Sequence, residues 1–279
     1  TFRLLDFADL TVDGSIATGA AVSVMLIRAG VSPIATLPIA FLAGALAGMV
    51  TGLLNTALGI PGILASILTQ ISLYSINLNI MGKANQPVSV DNYSLVVSLR
   101  YVTDGSVSRL LFFLGMIVFL LALIAVMYWY FGTEQGHAIR ATGCNSNMAR
   151  AQGINTNFIK VLALMISNGL VGLCGALYGQ FQGASDVNMG RGAIVIGLAA
   201  VIIGGVLFGK FASKRKLAFA FTLASVILGA VIYYMVYQFV LWLKMPSEDM
   251  KLFSAIVVAI FLAIPYLKEK RTLRKGASK

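Results

Sequence analysis

The chain has 279 residues, 58% hydrophobic and only 11% charged, with a net charge of +11 and a mean hydropathy of +0.88. Soluble domains carry roughly 25% charged residues, so this composition excludes a water-soluble fold and makes lipid the covering of most of the surface. Cys144 and Cys174 lie outside any CxxC or Cys/His cluster, which excludes a redox motif or a zinc site and leaves them as two small buried hydrophobes.

The chain opens on three carboxylates, Asp6, Asp9 and Asp13. Spaced by three and four, they share one face of a short amphipathic helix at the membrane surface. Asp13 stands apart, because a carboxylate beside a small-residue span is costly in lipid and is therefore a functional candidate. Beyond it, apolar stretches near the ~20 residues that cross a hydrocarbon core predict eight spans, at 14–29, 34–54, 61–81, 108–131, 156–180, 191–209, 217–241 and 250–267. The expected fold is all-α, a single polytopic transmembrane helix bundle over 1–279. The N-terminus shows no cleavable signal peptide, and because residue 1 is Thr rather than Met, a further span upstream of the first stays open.

Glycines mark how the spans pack. Gly44, Gly48 and Gly52 recur every four residues in the second span, Gly169, Gly172, Gly175 and Gly179 line the fifth, and Gly197, Gly204 and Gly205 fall in the sixth. Small residues let helix backbones approach in lipid, where no hydrophobic force drives them together, so these are packing faces. Polar groups inside the spans are amides and hydroxyls: Gln70, Ser72, Asn77 and Asn79 in the third, Asn168 and Gln180 in the fifth. An amide facing lipid is costly, so Gln70, Asn77, Asn79 and Asn168, with Asp13, are the candidate lining of a passage for a small polar solute.

Between the fourth and fifth spans, residues 132–155 are polar. Asn145 can cap a short helix over Ser146 to Gln152, and Gly153 supplies its left-handed stop. His137 is the only histidine and has no ligand partners at metal-binding spacing. Gly204 to Phe211 matches GxxxxGK but ends in Phe where a hydroxyl must reach magnesium, and it closes an apolar span, so it is not a phosphate loop. If the basic tail 268–279 is cytoplasmic, alternation puts 132–155 and 210–216 on its side and 83–107, 182–190 and 243–249 opposite. Two thirds of the 21 Lys and Arg then lie inside, which follows the positive-inside rule and makes the charge a topology signal rather than a nucleic-acid footprint. No paired carboxylates, HExxH or nucleophile motif suggests an enzyme, and no well-centred ionisable group inside the spans suggests ion coupling. An external energy source fits best, with an ion-coupled secondary transporter of a small solute as the alternative.

Four segments in order carry a family likeness. Asp9-Leu-Thr-Val-Asp-Gly-Ser15 looks like a "DLSVGS" signature with an extra Asp13, and Asn55 to Thr69 is similar to "IPPFIVTLGT". Ala141-Thr-Gly-Cys-Asn-Ser-Asn-Met-Ala-Arg-Ala-Gln-Gly-Ile-Asn155 resembles "AIGGNEEAARLSGIN", and Ile194 to Gly205 resembles "AIAAVVLGG". The chain thus resembles the permease subunits of binding-protein-dependent ATP-binding-cassette importers of the ribose and branched-chain amino-acid type, and Leu5 to Ser15 looks like an amino-acid branch, aromatic ones included. The resemblance implies a multi-pass protein of the bacterial cytoplasmic (inner) membrane, with a cytoplasmic C-terminus, that imports a small polar solute, an amino acid above all. It implies a second permease copy, cytoplasmic ATPase subunits that hold ATP and magnesium, and an extracytoplasmic substrate-binding protein, with no cofactor in this chain. It also makes 132–155 a coupling loop, whose residues toward the ATPase are Arg140, Gly143, Asn145, Ala149, Arg150 and Gly153.

Overall fold

The computed structural model describes residues 1, 4, 5, 7–89, 93, 95–98, 106–212 and 218–242, with 256, 259 and 263 as isolated positions. Helices in chain order are α1 (Thr11–Arg28), α2 (Pro33–Thr56), α3 (Gly62–Met81), α4 (Ser106–Phe131), α5 (Glu134–Cys144), α6 (Ser146–Ala151), α7 (Thr156–Gln182), α8 (Ala193–Ala212) and α9 (Ala218–Trp242). Two short strands, β1 (Asn85–Pro87) and β2 (Ala184–Asp186), pair antiparallel. Among the described residues, Pro33–Thr56, Gly62–Met81, Arg109–Phe131, Thr156–Gln182 and Phe219–Phe239 are long and apolar enough to cross a membrane, and Ala193–Leu207 is a shorter apolar helix. The expected span at 250–267 lies almost wholly outside the described residues. Contacts gather into two units, Thr1–Arg191 and Gly192–Lys279.

In the first unit α1, α2 and α7 press together along their small residues. A Cβ on Gly44 or Gly48 of α2 would overlap the carbonyl oxygen of Asn168 or Leu164 on α7, and one on Gly19 of α1 would overlap that of Gly172. The opposite face of α2 carries Leu42, Leu46, Val50 and Leu53, all 45–60% exposed. Both faces are apolar, and what separates them is size: small residues admit a neighbouring backbone, while large ones are left to lipid. The same logic corrects the reading of the cysteines. Cys144 and Cys174 are unpaired and exposed rather than buried.

The ends of α1 give the unit its unusual feature. α7 is about 40 Å long at 1.5 Å per residue, and Asn168 stands near its middle. There the Asn168 amide donates to Asp9 Oδ2 (2.7 Å), and its Oδ1 accepts from the Ser15 hydroxyl (2.7 Å). Near the far end of α7, Gln180 donates to Ser23 Oγ (3.1 Å) and to Thr36 Oγ1 (3.3 Å). α1 therefore begins half-way along α7 and runs beside its second half. The described residues before α1 lie along the other half without helix: Leu4 has its carbonyl under Gly143, and the Phe7 ring lies against Gly62. Non-helical backbone is tolerated at that depth only where protein covers it, and Leu5, Phe7 and Asp9 are all buried.

This corrects the expectation of an amphipathic surface helix. Asp9 is 3% exposed, and its Oδ1 accepts the Thr11 backbone N–H (3.0 Å), so it caps α1 instead of solvating a face. Asp6 lies outside the described residues, and Asp13 sits in the first turn of α1. A capped helix start inside the bundle outcompetes a continuous helix because the carboxylate is taken up twice, by its own helix and by Asn168. Asp9→Ala removes both bonds and leaves the Asn168 amide group short of an acceptor. The expected loss is about 2–4 kcal/mol, seen as a lower melting temperature of the purified protein, with Asp9→Asn milder because its carbonyl still accepts.

Hydroxyls tie the remaining helices. Thr51 of α2 bonds Thr11 (2.8 Å) and Thr69 of α3 (2.9 Å), and Ser23 bonds Thr36 (2.8 Å). The strand pairing Asn85↔Asp186 fixes the chain after α3 and the chain after α7 at one end of the unit, opposite α5 and α6. Asn85–Pro87 and Ala184–Asp186 thus share an end, as alternation expects of the segments that contain them. In the second unit α8 and α9 meet at Gly204 against Ser225 and at Gly229 against Ala200, around Ala199, Ile203 and Tyr233. Residues 204–211 lie inside continuous helix α8, so the GxxxxGK match forms no phosphate loop.

Candidate functional site

Two places gather the residues singled out from the sequence, one at each end of the first unit's polar chemistry. The first is the turn of helices between α4 and α7. Sequence reading expected one short helix in 132–155, and the structure has two. The missed one, α5, starts at Thr133, whose side chain accepts from Gly136 N, and its alternation of Gly, Ala and polar residues hid any apolar stripe. α6 follows as expected. Asn145 Oδ1 accepts from the N–H groups of Asn147 (3.1 Å) and Met148 (3.0 Å). At its other end Ile154 N donates to Ala149 O (3.0 Å) and Gly153 N to Arg150 O (2.9 Å), with Gly153 at φ +82°. That pair of bonds is a Schellman closure, which needs the left-handed residue that glycine supplies.

The six residues named for this loop divide by direction. Ala149 is buried at 3% exposure, Gly143 has the Leu4 backbone directly upon it, and Arg140 holds its guanidinium 5.7 Å from the centroid of the Phe131 ring. These three seat the helices on the unit. Arg150 is exposed, yet its Nε donates to Thr156 Oγ1 (2.7 Å) at the start of α7, bracing α6 against the long helix. Outward on α6 stand Asn147 and Met148, the latter 61% exposed, which the sequence reading did not single out. A methionine on the exposed side of a polar helix was the available signal.

The second place is a pocket of about 340 Å³ beside the start of α1. Its wall comes from Asp13 and Gly14 on α1, from Gln70, Ile71, Tyr74, Ser75 and Asn77 on α3, and from Val187, Asn188 and Arg191 in the turns after β2. That last segment descends along α1. Val187 packs against Ala21, and three residues later Gly190 lies on the backbone of Asp13, where a Cβ would overlap the Asp13 carbonyl oxygen. Asp186 Oδ1 holds the turn by accepting from Asn188 N (2.7 Å).

Three of the five residues proposed for a passage, Asp13, Gln70 and Asn77, meet in this pocket. Asn79 is elsewhere on α3, exposed, with its amide given to Ser75 O (3.0 Å). Asn168 is fully buried in the α1–α7 seam, where Ser15, Asp9 and Leu164 occupy its hydrogen-bonding groups. Sequence reading missed Tyr74, Asn188 and Arg191. Arg191, a charge at the head of an apolar span, was the legible hint. Among the described residues no group of His, Cys, Asp and Glu could hold a metal ion.

Comparison with known proteins agrees with this architecture. Residues 1–265 match the family described as the permease component of branched-chain amino-acid transport systems. The chain belongs to this family. It is 39% identical over 263 residues to the tyrosine transport system permease protein of Clostridioides difficile, covering 94% of this chain and 83% of that one. It is 29% identical to the autoinducer 2 import system permease LsrC of Yersinia pseudotuberculosis, covering 84% of this chain and 62% of that one. It is 26% identical to the inner membrane ABC transporter permease YjfF of Escherichia coli, covering 71% and 59%. No solved structure matches the chain. The protein is thus a multi-pass, all-α permease component of an ABC transport system, a transport subunit of a non-catalytic family. Such systems in general include ATPase and substrate-binding partners. Within the permease, α6 and the pocket are the two features whose chemistry exceeds what packing alone requires.

Proposed function

We propose that this permease imports an amino acid, an aromatic one in the first instance, as one of two copies in the bacterial cytoplasmic membrane with its C-terminus in the cytoplasm. Cytoplasmic ATPase subunits bind and hydrolyse ATP with magnesium, and an extracytoplasmic binding protein delivers the solute. The observation that carries the reading is the 39% identity to a tyrosine transport permease across 94% of the chain. The pocket supports it, since a wall with the buried Asn77 amide and the Asp13 and Arg191 charges suits a small polar solute and not a lipid tail.

The working cycle follows from the two features. α6 is held at both ends, by its Asn145 cap and its Gly153 stop, so a push on Asn147 and Met148 from an ATPase moves the start of α7 as a rigid piece through Arg150 and Thr156. α7 carries Asn168, and Asn168 is bonded to Asp9 at the start of α1. A displacement of α7 along its axis therefore reaches Asp13 within one turn of α1. An isologous pair of chains would give two such levers and two pockets around one passage.

The test is uptake into proteoliposomes holding the permease, its ATPase subunits and its binding protein. The expected result is ATP-dependent accumulation of L-tyrosine, unaffected by collapse of the proton or sodium gradient. Ribose uptake without tyrosine uptake removes the amino-acid reading, and gradient-driven uptake without ATPase subunits favours the secondary-transporter alternative.

A further inference from the structure

We propose that the pocket beside the start of α1 is a binding site for the charged backbone of a zwitterionic amino acid in transit, with Arg191 meeting the carboxylate, Asp13 the ammonium, and Asn77 both. The decisive observation is Asn77. Its side chain is fully buried, and neither Nδ2 nor Oδ1 has a hydrogen-bond partner among the described residues, although it lines a polar pocket. Buried amides in folded proteins are almost always satisfied, and one left open on both its donor and its acceptor is placed to receive a group that offers both. A zwitterion offers an N–H donor and a carboxylate acceptor two bonds apart.

Charge points to the same ligand. The wall holds one acidic and one basic side chain, Asp13 and Arg191, from different segments of the chain. Asp13 is half-buried and Arg191 exposed, so both stand where a charged side chain of a helix bundle faces an open cavity, a placement that marks a pathway or ligand. A neutral sugar would have no use for either, whereas an amino acid matches both. The pocket volume of about 340 Å³ is within the range of small-molecule sites, and Tyr74 and Ile71 supply an apolar side for the substrate's own side chain. Its walls are also built as transporter sites are, from a helix that starts inside the bundle and from an irregular segment, here 187–191, that lines a cavity at membrane depth.

This inference rests on the amino-acid reading above, and the test separates the two. The complete transporter, solubilised without its binding protein, is titrated with L-[3H]tyrosine and challenged with tyramine, which lacks the carboxylate, and with 3-(4-hydroxyphenyl)propionate, which lacks the ammonium. The wild type should bind tyrosine and discriminate about tenfold or more against each analogue. Arg191→Gln should lose the discrimination against tyramine only, Asp13→Asn that against the propionate only, and Asn77→Ala should weaken tyrosine binding about tenfold with ATPase assembly intact. A merely structural role for these residues would not split the analogues by charge. Absence of tyrosine uptake by the reconstituted system overturns the amino-acid reading and this site with it. Uptake without tyrosine binding to the complex, or charge variants that discriminate as the wild type does, overturns the site alone.

Discussion

Replacing Gly44 by valine should abolish the folded permease. The Cβ alone would overlap the Asn168 carbonyl, and a backbone atom in a continuous helix cannot step aside as a flexible side chain does. The two added methyls widen the gap between α2 and α7 along the seam where Gly48 and Gly172 also touch backbone. Forcing side chains into a well-packed core costs about 1–3 kcal/mol, and a backbone obstacle lies at or above the top of that range. The opened seam would also pull Asn168 from Asp9 and Ser15, so the mid-depth cap of α1 would go with it. The expected measurement is a near-total loss of monodisperse protein after solubilisation. Gly115→Leu on α4 is the matched control, because a Cβ there meets nothing within 4 Å. A Gly44→Val protein that purifies and melts like the wild type would show that the α2–α7 seam does not hold the fold.

The second large effect is expected at Gly153. A β-branched residue at φ +82° is strained by about 1–2 kcal/mol or more, and relieving that strain breaks the bonds from Gly153 to Arg150 and from Ile154 to Ala149. α6 then ends in a different direction while the bundle above it is untouched. Gly153→Val should therefore keep its folded yield but lose transport about tenfold or more, while the ATPase subunits continue to hydrolyse ATP, since no packed core is altered and only the lever is. Gly153→Asn should retain most transport, because asparagine enters the left-handed region at small cost. Measuring uptake and hydrolysis on the same proteoliposomes distinguishes uncoupling from misfolding. Wild-type coupling in Gly153→Val would mean that α6 does not carry the signal.

These two sites differ in how visible they are from the chain alone. Gly153 was legible because its role is local: an asparagine cap and a left-handed stop eight residues apart define a two-turn helix whatever surrounds it. The long helices were legible for a similar reason. Hydrocarbon thickness sets a length, and α2, α3, α4, α7, α8 and α9 each start and end within a few residues of the stretch that length predicts. The four-residue glycine spacing foretold a packing face, because small residues at one helical phase have one use in lipid. The helix α5 escaped, since its short polar pattern carries neither a lipid-length run nor a stripe.

What the sequence by itself determined, then, is everything that depends on a residue and its near neighbours along the chain: the spans, the small-residue faces, the capped helix α6 and the family likeness. The tertiary structure decided which polar groups are spoken for. Asp9 and Asn168 are 159 positions apart and satisfy one another, so the carboxylate assigned to a surface and the amide assigned to a passage both became the seam that starts α1 at mid-depth. Asn77 has the same chemistry as Asn168 and was indistinguishable from it in sequence, yet it is left open at a pocket completed by Arg191. The physical reason is that an amide's partners are fixed by helix packing between distant segments, and inside a bilayer, where water cannot serve as a substitute partner, that packing alone divides structural amides from those free to meet a solute.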